Sequence, residues 1–136
     1  MRVFAVIDTN VIVSALLSRN PEAATVRVFE TVLDGGIILL YNEEILNEYT
    51  DVLSRPKFGF PAERVFDLLN YIVEEGVLAS RIHSDETFPD SKDVVFYEVA
   101  ISKEDAFLIT GNKKHFPHTP IVVTPSEMMD IIGKGE

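Results

Sequence analysis

The chain of 136 residues contains no cysteine. Disulfide bonds and thiolate metal sites are therefore excluded, and a metal ion would have to be held by oxygen or imidazole ligands. Long hydrophobic runs are also missing. The apolar run at the N-terminus, Val3–Ile7, ends at Asp8, and no later stretch approaches the ~18 apolar residues of a membrane helix. We therefore expect a soluble, cytoplasmic protein that has no membrane partner.

Basic residues are scarce: 12 lysines and arginines stand against 22 acidic residues, giving a formal net charge of −10. This balance counts against tight, non-specific binding of nucleic acid, which usually relies on a basic surface. It has two explanations, an acidic surface that maintains solubility and carboxylates gathered around a bound cation. Charge alone does not decide between them. With 46% hydrophobic residues the chain can build a core, and we expect residues 1–136 to form one domain.

Strand patterns alternate with helix patterns along the chain. Strands are predicted at Val3–Ile7, Ile37–Tyr41, 77–82, 106–110 and 121–123, and helices at 11–17, 21–34, 42–55, 61–75, 93–102 and 125–132, with a loop at 83–92 and a loose tail from Gly133. This order predicts an α/β domain in which helices cover both faces of a mainly parallel sheet of about five strands. Ligands of such sheets bind beyond the carboxyl ends of the strands.

Acidic and amide side chains fall at that edge of the predicted sheet. Asp8 ends the first strand, Glu48 lies in the helix after the second, and Asp90 and Asp93 flank the start of the helix before the fourth strand, which Asn112 follows. Taken singly, each has an ordinary explanation as a helix cap, a solvated residue or a turn residue. Together, crowded carboxylates would repel one another unless a divalent cation lay between them. Mg²⁺ and Mn²⁺ prefer such oxygen ligands and serve phosphodiester hydrolysis.

Four sequence blocks resemble those of the PIN-domain family, in its bacterial and archaeal toxin–antitoxin branch. They are residues 6–11 (VIDTNV), 47–57 (NEYTDVLSRPK), 90–100 (DSKDVVFYEVA) and 108–117 (LITGNKKHFP), and residues 121–127 (IVVTPSE) complete the pattern. The resemblance implies a three-layer α/β/α fold over a single PIN-like domain. It also implies an endoribonuclease that cleaves single-stranded RNA with Mg²⁺ or Mn²⁺.

The resemblance also assigns roles to individual residues. It implies a catalytic set of Asp8, Glu48, Asp93 and Asn112, with Asp8 and Asp93 as the metal ligands and with Asn10, Asp90 and Thr110 in the outer shell. Asn112 departs from the family, since many members have aspartate there. An amide oxygen brings no negative charge, so a second metal ion should bind less well. Glu98 lies slightly more than one helical turn beyond Asp93 and either assists or is a surface residue.

Basic residues near these blocks admit two interpretations. Lys113, Lys114 and His115 either steer RNA phosphates towards the site or form a solvated loop, and the sequence favours neither. For Arg55 and Lys57 the solvated interpretation is favoured. The resemblance further suggests a small antitoxin protein as partner and a homodimer.

Three other functions compete with the nuclease as explanations of the sequence. A haloacid-dehalogenase-like phosphatase also begins with Asp after its first strand, but it needs a second Asp where this chain has Asn10. A dinucleotide-binding domain needs a glycine-rich turn after the first strand, which is missing here. A PIN-like binding module without activity is the serious alternative. Asn112 is a step in that direction, whereas Asp8, Glu48 and Asp93 favour activity.

Overall fold

The computed structural model describes residues 2–135, which contain one five-stranded sheet. The strands are β1 (Val3–Ile7), β2 (Ile37–Tyr41), β3 (Val77–Leu78), β4 (Phe107–Ile109) and β5 (Val122–Val123). Their order across the sheet is β3-β2-β1-β4-β5, and all four neighbouring pairs are parallel. The predicted parallel sheet of five strands is confirmed.

Six α-helices cover the sheet and complete a three-layer α/β/α fold, as predicted. They are α1 (Thr9–Leu17), α2 (Ala24–Leu33), α3 (Glu43–Leu53), α4 (Ala62–Glu75), α5 (Val94–Ala100) and α6 (Pro125–Lys134). Consecutive residues of β1, from Ala5 to Ile7, are all buried. Because neighbouring side chains of a strand point to opposite faces, β1 is covered on both sides and carries no polar alternation. Within residues 2–135, no helix is long and apolar enough to cross a membrane.

Local sequence signals fix the start of several helices. The side chain of Asn42 accepts a hydrogen bond of 2.8 Å from the Ile45 amide and caps α3. Thr124 and Glu127 cap α6 reciprocally, each side chain accepting from the backbone N–H of the other. Such caps satisfy amides that have no partner within the helix, which explains why both starts are predictable from sequence.

Several predicted boundaries are wrong. The helix predicted at 21–34 begins only at Ala24, because residues 21–22 form a turn. The strand predicted at 77–82 ends at Leu78, because the chain then turns away from the sheet: the Ala79 amide still bonds to Tyr41 O, but the Ile82 amide donates to Glu98 O, in α5. The loose tail predicted from Gly133 is wrong for Gly133 and Lys134, which belong to α6. Glu136 lies outside the described residues.

Strand register brings two parts of the chain together at the carboxyl edge of the sheet. Ile7 of β1 pairs with Ile109 of β4, and the Asp8 amide donates to Ile109 O at 2.9 Å. The residues that follow these central strands, Asp8 and Thr110, are therefore neighbours although 102 positions separate them.

Candidate active site at the carboxyl edge of the sheet

Asp8 is a buried carboxylate held by a neighbouring hydroxyl. Only 7% of the residue is exposed, and Thr110 Oγ1 donates a hydrogen bond of 2.8 Å to Asp8 Oδ2. Asp8 occupies the N-cap position of α1, yet its side chain makes no hydrogen bond of capping geometry. Burial raises the pKa of its carboxyl, and the Thr110 hydroxyl and the amides of Asn10 and Thr9 offset this only in part. Asp8 is thus a buried carboxyl with a raised pKa rather than a simple helix cap.

Asp93 lies close to other carboxylates. It ends the short 3-10 helix Ser91–Asp93, and 15% of its side chain is exposed. Burial is the largest cause of a pKa raised to about 6, and repulsion from Asp8, Asp90 and Glu48 adds to it, against the opposing effect of His115. The fold therefore brings together acids from three separate segments, as their positions in the sequence predicted.

A buried tyrosine positions Glu48. Tyr49, the next residue of α3, is 1% exposed and donates its hydroxyl hydrogen to Ile7 O at the end of β1. Burial, with the nearby Asp8, raises the Tyr49 pKa well above its ordinary value, so the hydroxyl remains a donor. This bond fixes α3 beside β1 and leaves the half-buried Glu48 at the edge of the site.

We expect Tyr49→Phe to lower the free energy of unfolding by about 1–2 kcal/mol, since it removes the donor from a buried carbonyl and changes little else. Urea unfolding followed by circular dichroism measures the loss. A change close to zero would mean that the hydroxyl does not fix α3 against β1.

One pocket brings six of the predicted site residues together. Its volume is about 270 Å³, and its lining includes Asp8, Asn10, Glu48, Asp90, Asp93 and His115. Thr110 lies behind Asp8 and outside the lining. This volume lies just below the ~300–1,000 Å³ of most ligand pockets, so the pocket takes a small ligand or a short piece of an extended polymer.

Asn112, Lys113 and Lys114 lie outside the lining of the pocket, whereas His115 belongs to it. Asn112 is exposed, and its Nδ2 lies 3.0 Å from His115 Nε2, while His115 Nδ1 lies 3.4 Å from Asp93 Oδ2. If the amide donates to Nε2, the imidazole proton sits on Nδ1 and faces Asp93. Lys113 is paired with Glu127 at 3.1 Å, and Lys114 is exposed. Of this stretch, only His115 lines the pocket.

Sequence reasoning missed several lining residues. Thr9, Arg55, Lys57, Phe58 and Lys92 share the pocket with the carboxylates. Arg55 and Lys57 were expected to be merely solvated. The signal available was the Arg-Pro-Lys-Phe run directly after α3, which forms a short 3-10 helix, Pro56–Phe58.

The sequence profile of the PIN domain matches residues 4–114. The chain belongs to the PIN-domain family. PIN domains are generally nucleases, which act on nucleic acid and generally use divalent metals. The matched residues include every lining residue of the pocket except His115, and they also include Asn112. A search of curated proteins finds no match to the chain.

The donor set of this PIN domain fits a hydrated metal ion. Among residues 2–135, no three His, Asp or Glu side chains form a group that would hold an ion by themselves. Mg²⁺ does not need such a cage, because it keeps several waters and binds through one or two carboxylates and the phosphates of its substrate. Thr9 Oγ1 is buried and has no hydrogen-bond partner in the part of the chain described. Thr9 is a lining residue of the same pocket as Asp8, so a polar group bound there would be the nearest available partner for this oxygen after a small shift of the side chain.

Glu98 of the PIN domain is neither a surface residue nor part of the pocket lining. It is 4% exposed and accepts hydrogen bonds from Arg81 Nε at 2.5 Å and from the Ser84 amide at 2.7 Å. Arg81, followed by the Ser84 amide, holds the pKa of the Glu98 carboxyl below its ordinary value. Glu98 therefore ties the segment that follows β3 to α5, the helix that begins next to Asp93.

Proposed function

We propose that this PIN domain is a Mg²⁺- or Mn²⁺-dependent endoribonuclease that cleaves single-stranded RNA. The observation that carries the proposal is the crowding of Asp8, Glu48, Asp90 and Asp93 around one pocket. Burial and mutual repulsion raise the pKa of Asp93 to about 6. Functional sites commonly contain charged groups whose crowding destabilises the free protein. A divalent cation would remove the repulsion among these carboxylates.

Each residue of the site has a proposed task. Asp8 and Asp93 hold the ion, and Thr110 orients Asp8 through its hydroxyl. Glu48 accepts a hydrogen bond from the attacking water, Asn10 and Asp90 border the site, and Asn112 orients His115, whose Nδ1 faces Asp93. When bound, the ion supplies Lewis-acid activation of the phosphate and of water. Lys113 and Lys114 contribute by attracting RNA from outside the pocket.

The decisive experiment is cleavage of a labelled single-stranded RNA by the purified protein in Mn²⁺, Mg²⁺ or EDTA. We expect cleavage with either metal and none in EDTA. The absence of cleavage with every metal, together with no ion binding in calorimetry, would overturn the proposal and favour a PIN-like module that binds RNA or protein without activity.

The four sequence blocks favour a finer assignment, the toxin component of a toxin–antitoxin system. On this proposal the chain acts in the cytoplasm, and a small antitoxin protein neutralises it by covering the pocket. Expression of the chain alone should then arrest growth of its host, and co-expression of the neighbouring gene should restore it. A homodimer is proposed on the same resemblance, and a monomeric mass in light scattering would contradict it.

Asn112→Asp should tighten the binding of a second metal ion, because it adds a negative charge one hydrogen bond away from His115. Calorimetric titration with Mn²⁺ measures the change, and Asn47→Asp, an exposed position on α3, adds the same charge as a control. Unchanged Mn²⁺ affinity in Asn112→Asp would exclude Asn112 from the metal site.

A further inference from the structure

The short 3-10 helix Pro56–Phe58 presents an aromatic ring at the pocket. Phe58 is half-buried and stacks on Phe60, with 5.6 Å between ring centroids and 16° between ring planes. The turn ends at Gly59, whose φ of 68° lies in the left-handed region that favours glycine. Phe60 therefore holds the ring of Phe58 in place on one side. Phe58 also lines the pocket together with the carboxylates.

Cationic side chains line the same pocket as this ring. Lys57 Nζ lies 5.1 Å from the centroid of the Phe58 ring, and Arg55 and Lys92 line the same pocket. Three of the chain's twelve lysines and arginines thus meet at one pocket of a protein with a net charge of −10. The pocket therefore carries cationic side chains as well as its acidic cluster.

The guanidinium of Arg55 can exchange its present partner, the carboxylate of Asp51, for another anion. Its ion pair with Asp51 measures 3.2 Å, and the two side chains are 44% and 70% exposed. Exposed pairs of this type are weak, whereas a guanidinium binds phosphate with paired, charge-assisted hydrogen bonds. An incoming phosphate therefore replaces Asp51 at little cost.

We propose that Arg55, Lys57 and Phe58 form a nucleotide subsite, in which the two cations bind a phosphate of the RNA backbone and Phe58 stacks with an unpaired base. The inference rests on the proposed ribonuclease function and deepens it by assigning the substrate's contact next to the reacting phosphate. Aromatic rings stack on every base, so the subsite tolerates any sequence. The subsite requires an unpaired base, because paired bases are already stacked within a duplex. It therefore selects single strands.

The subsite also offsets the electrostatic repulsion between the acidic pocket and RNA. Four carboxylates around the reaction site repel an RNA chain, and the cation they hold offsets that repulsion only locally. Arg55 and Lys57 supply attraction on the same pocket, and stacking on Phe58 adds a contact that salt does not screen. RNA binding by this chain should consequently combine a modest dependence on salt with a marked dependence on bases.

Fluorescence anisotropy of a labelled oligouridylate of about ten nucleotides tests the inference, because such a length spans a typical single-strand binding site. Binding is measured in EDTA, so that its outcome is independent of cleavage. We expect Phe58→Leu to weaken binding about tenfold and Phe58→Tyr, which keeps an aromatic face, to bind as wild type does. Lys57→Gln should reduce the slope of log affinity against log salt by about 0.7, the value for one phosphate contact on a single strand.

Matched controls separate the subsite from general effects. Phe66→Leu alters an exposed phenylalanine of α4, 64% exposed, and Lys134→Gln removes a charge at the end of α6; neither should change binding. An oligomer of abasic nucleotides should bind wild type and Phe58→Leu equally. Thermal melting verifies that each variant is folded. If Phe58→Leu unfolds, the abasic comparison with wild type and the salt slope of Lys57→Gln decide the question.

The two proposals fail in different ways. If Phe58→Leu is folded and binds RNA as wild type does, the subsite is wrong even when the wild type cleaves RNA. If wild type binds single strands through Phe58 but cleaves nothing with any metal and binds no ion in calorimetry, the subsite is supported and the nuclease is overturned. Failure of the wild type to bind single strands in EDTA and in Mn²⁺ would overturn both.

Discussion

Asp8→Asn should lower metal-dependent RNA cleavage by at least about 100-fold, since even the outer partners of metal ligands are worth 10–100-fold in metal affinity or activity. The substitution keeps the shape of the side chain, and its amide oxygen still accepts the hydrogen bond from Thr110 Oγ1. What it removes is the negative charge that, on the proposed function, would hold the ion. Asp93→Asn should have an effect of the same order for the same reason. Initial cleavage rates at saturating Mn²⁺ measure both losses.

Asp105→Asn is the matched control for these variants. It removes the same charge from an exposed residue just before β4, at the opposite edge of the sheet from Asp8. Its φ of 65° is well tolerated by asparagine, so the fold should be unaffected. We expect cleavage at the wild-type rate. Full activity in Asp8→Asn would show that the carboxylate is not a metal ligand, and unfolding of both Asp8→Asn and Asp93→Asn would make these acids structural.

Metal-free Asp8→Asn and Asp93→Asn should be as stable as the wild type at neutral pH, or more stable. Asp93 has a pKa near 6 in the folded protein against 3.8 ordinarily, so the native state binds more protons than the unfolded state between these values. Its ionisation therefore costs stability, by an amount that grows as pH rises through this window and is complete above it. Thermal melting in EDTA at about pH 5 and about pH 7 should show that the stability of Asp93→Asn relative to the wild type is greater at the higher pH. If the difference in stability between Asp93→Asn and the wild type is the same at both pH values, the pKa of Asp93 is not raised in the folded protein.

The position of Asp8 and Thr110 at the same edge of the sheet was predictable, because it depends on two short-range signals and one general rule. Each buried strand ends at a polar residue, helices separate the strands, and parallel strands direct their carboxyl ends to one edge. The pairing of Ile7 with Ile109 then brings Asp8 to Thr110. None of these steps requires knowledge of which side chains touch.

The basic wall of the pocket was not predictable in this way. Arg55 and Lys57 follow α3 in a turn, and a turn's sequence specifies its local conformation but not the surface it faces. Their position depends on how α3 packs, which Tyr49 decides through a bond to β1, forty-two residues away. Glu98 was hidden for a similar reason. Its main partner, Arg81, lies seventeen residues earlier in a segment without hydrophobic periodicity.

Glu98→Ala should lower the free energy of unfolding by about 2–4 kcal/mol, because it removes two charge-assisted hydrogen bonds to a buried carboxylate. Arg81 and the Ser84 amide lose their acceptor, and only the backbone bond from the Ile82 amide to Glu98 O still connects the segment leading to Asp90 with α5. Since Arg81 and Ser84 lower the Glu98 pKa, this stabilisation is present above the ordinary value of 4.5 and is lost as pH falls through the lower folded value. The wild type should therefore approach the stability of Glu98→Ala in acid. Urea unfolding at neutral and acidic pH measures both effects.

Glu44→Ala provides the control, because Glu44 binds the same Arg81 at 2.6 Å but is 57% exposed. Exposed ion pairs contribute about 0–1 kcal/mol, so its loss should be several times smaller. A double-mutant cycle between Glu98 and Arg81 then isolates their coupling from the bond to Ser84. If Glu98→Ala costs no more than Glu44→Ala, the buried pair does not stabilise the fold. If it does cost more, Glu98→Ala should also impair RNA cleavage at temperatures where it remains folded, since the segment it anchors carries Asp90 and Lys92 to the pocket.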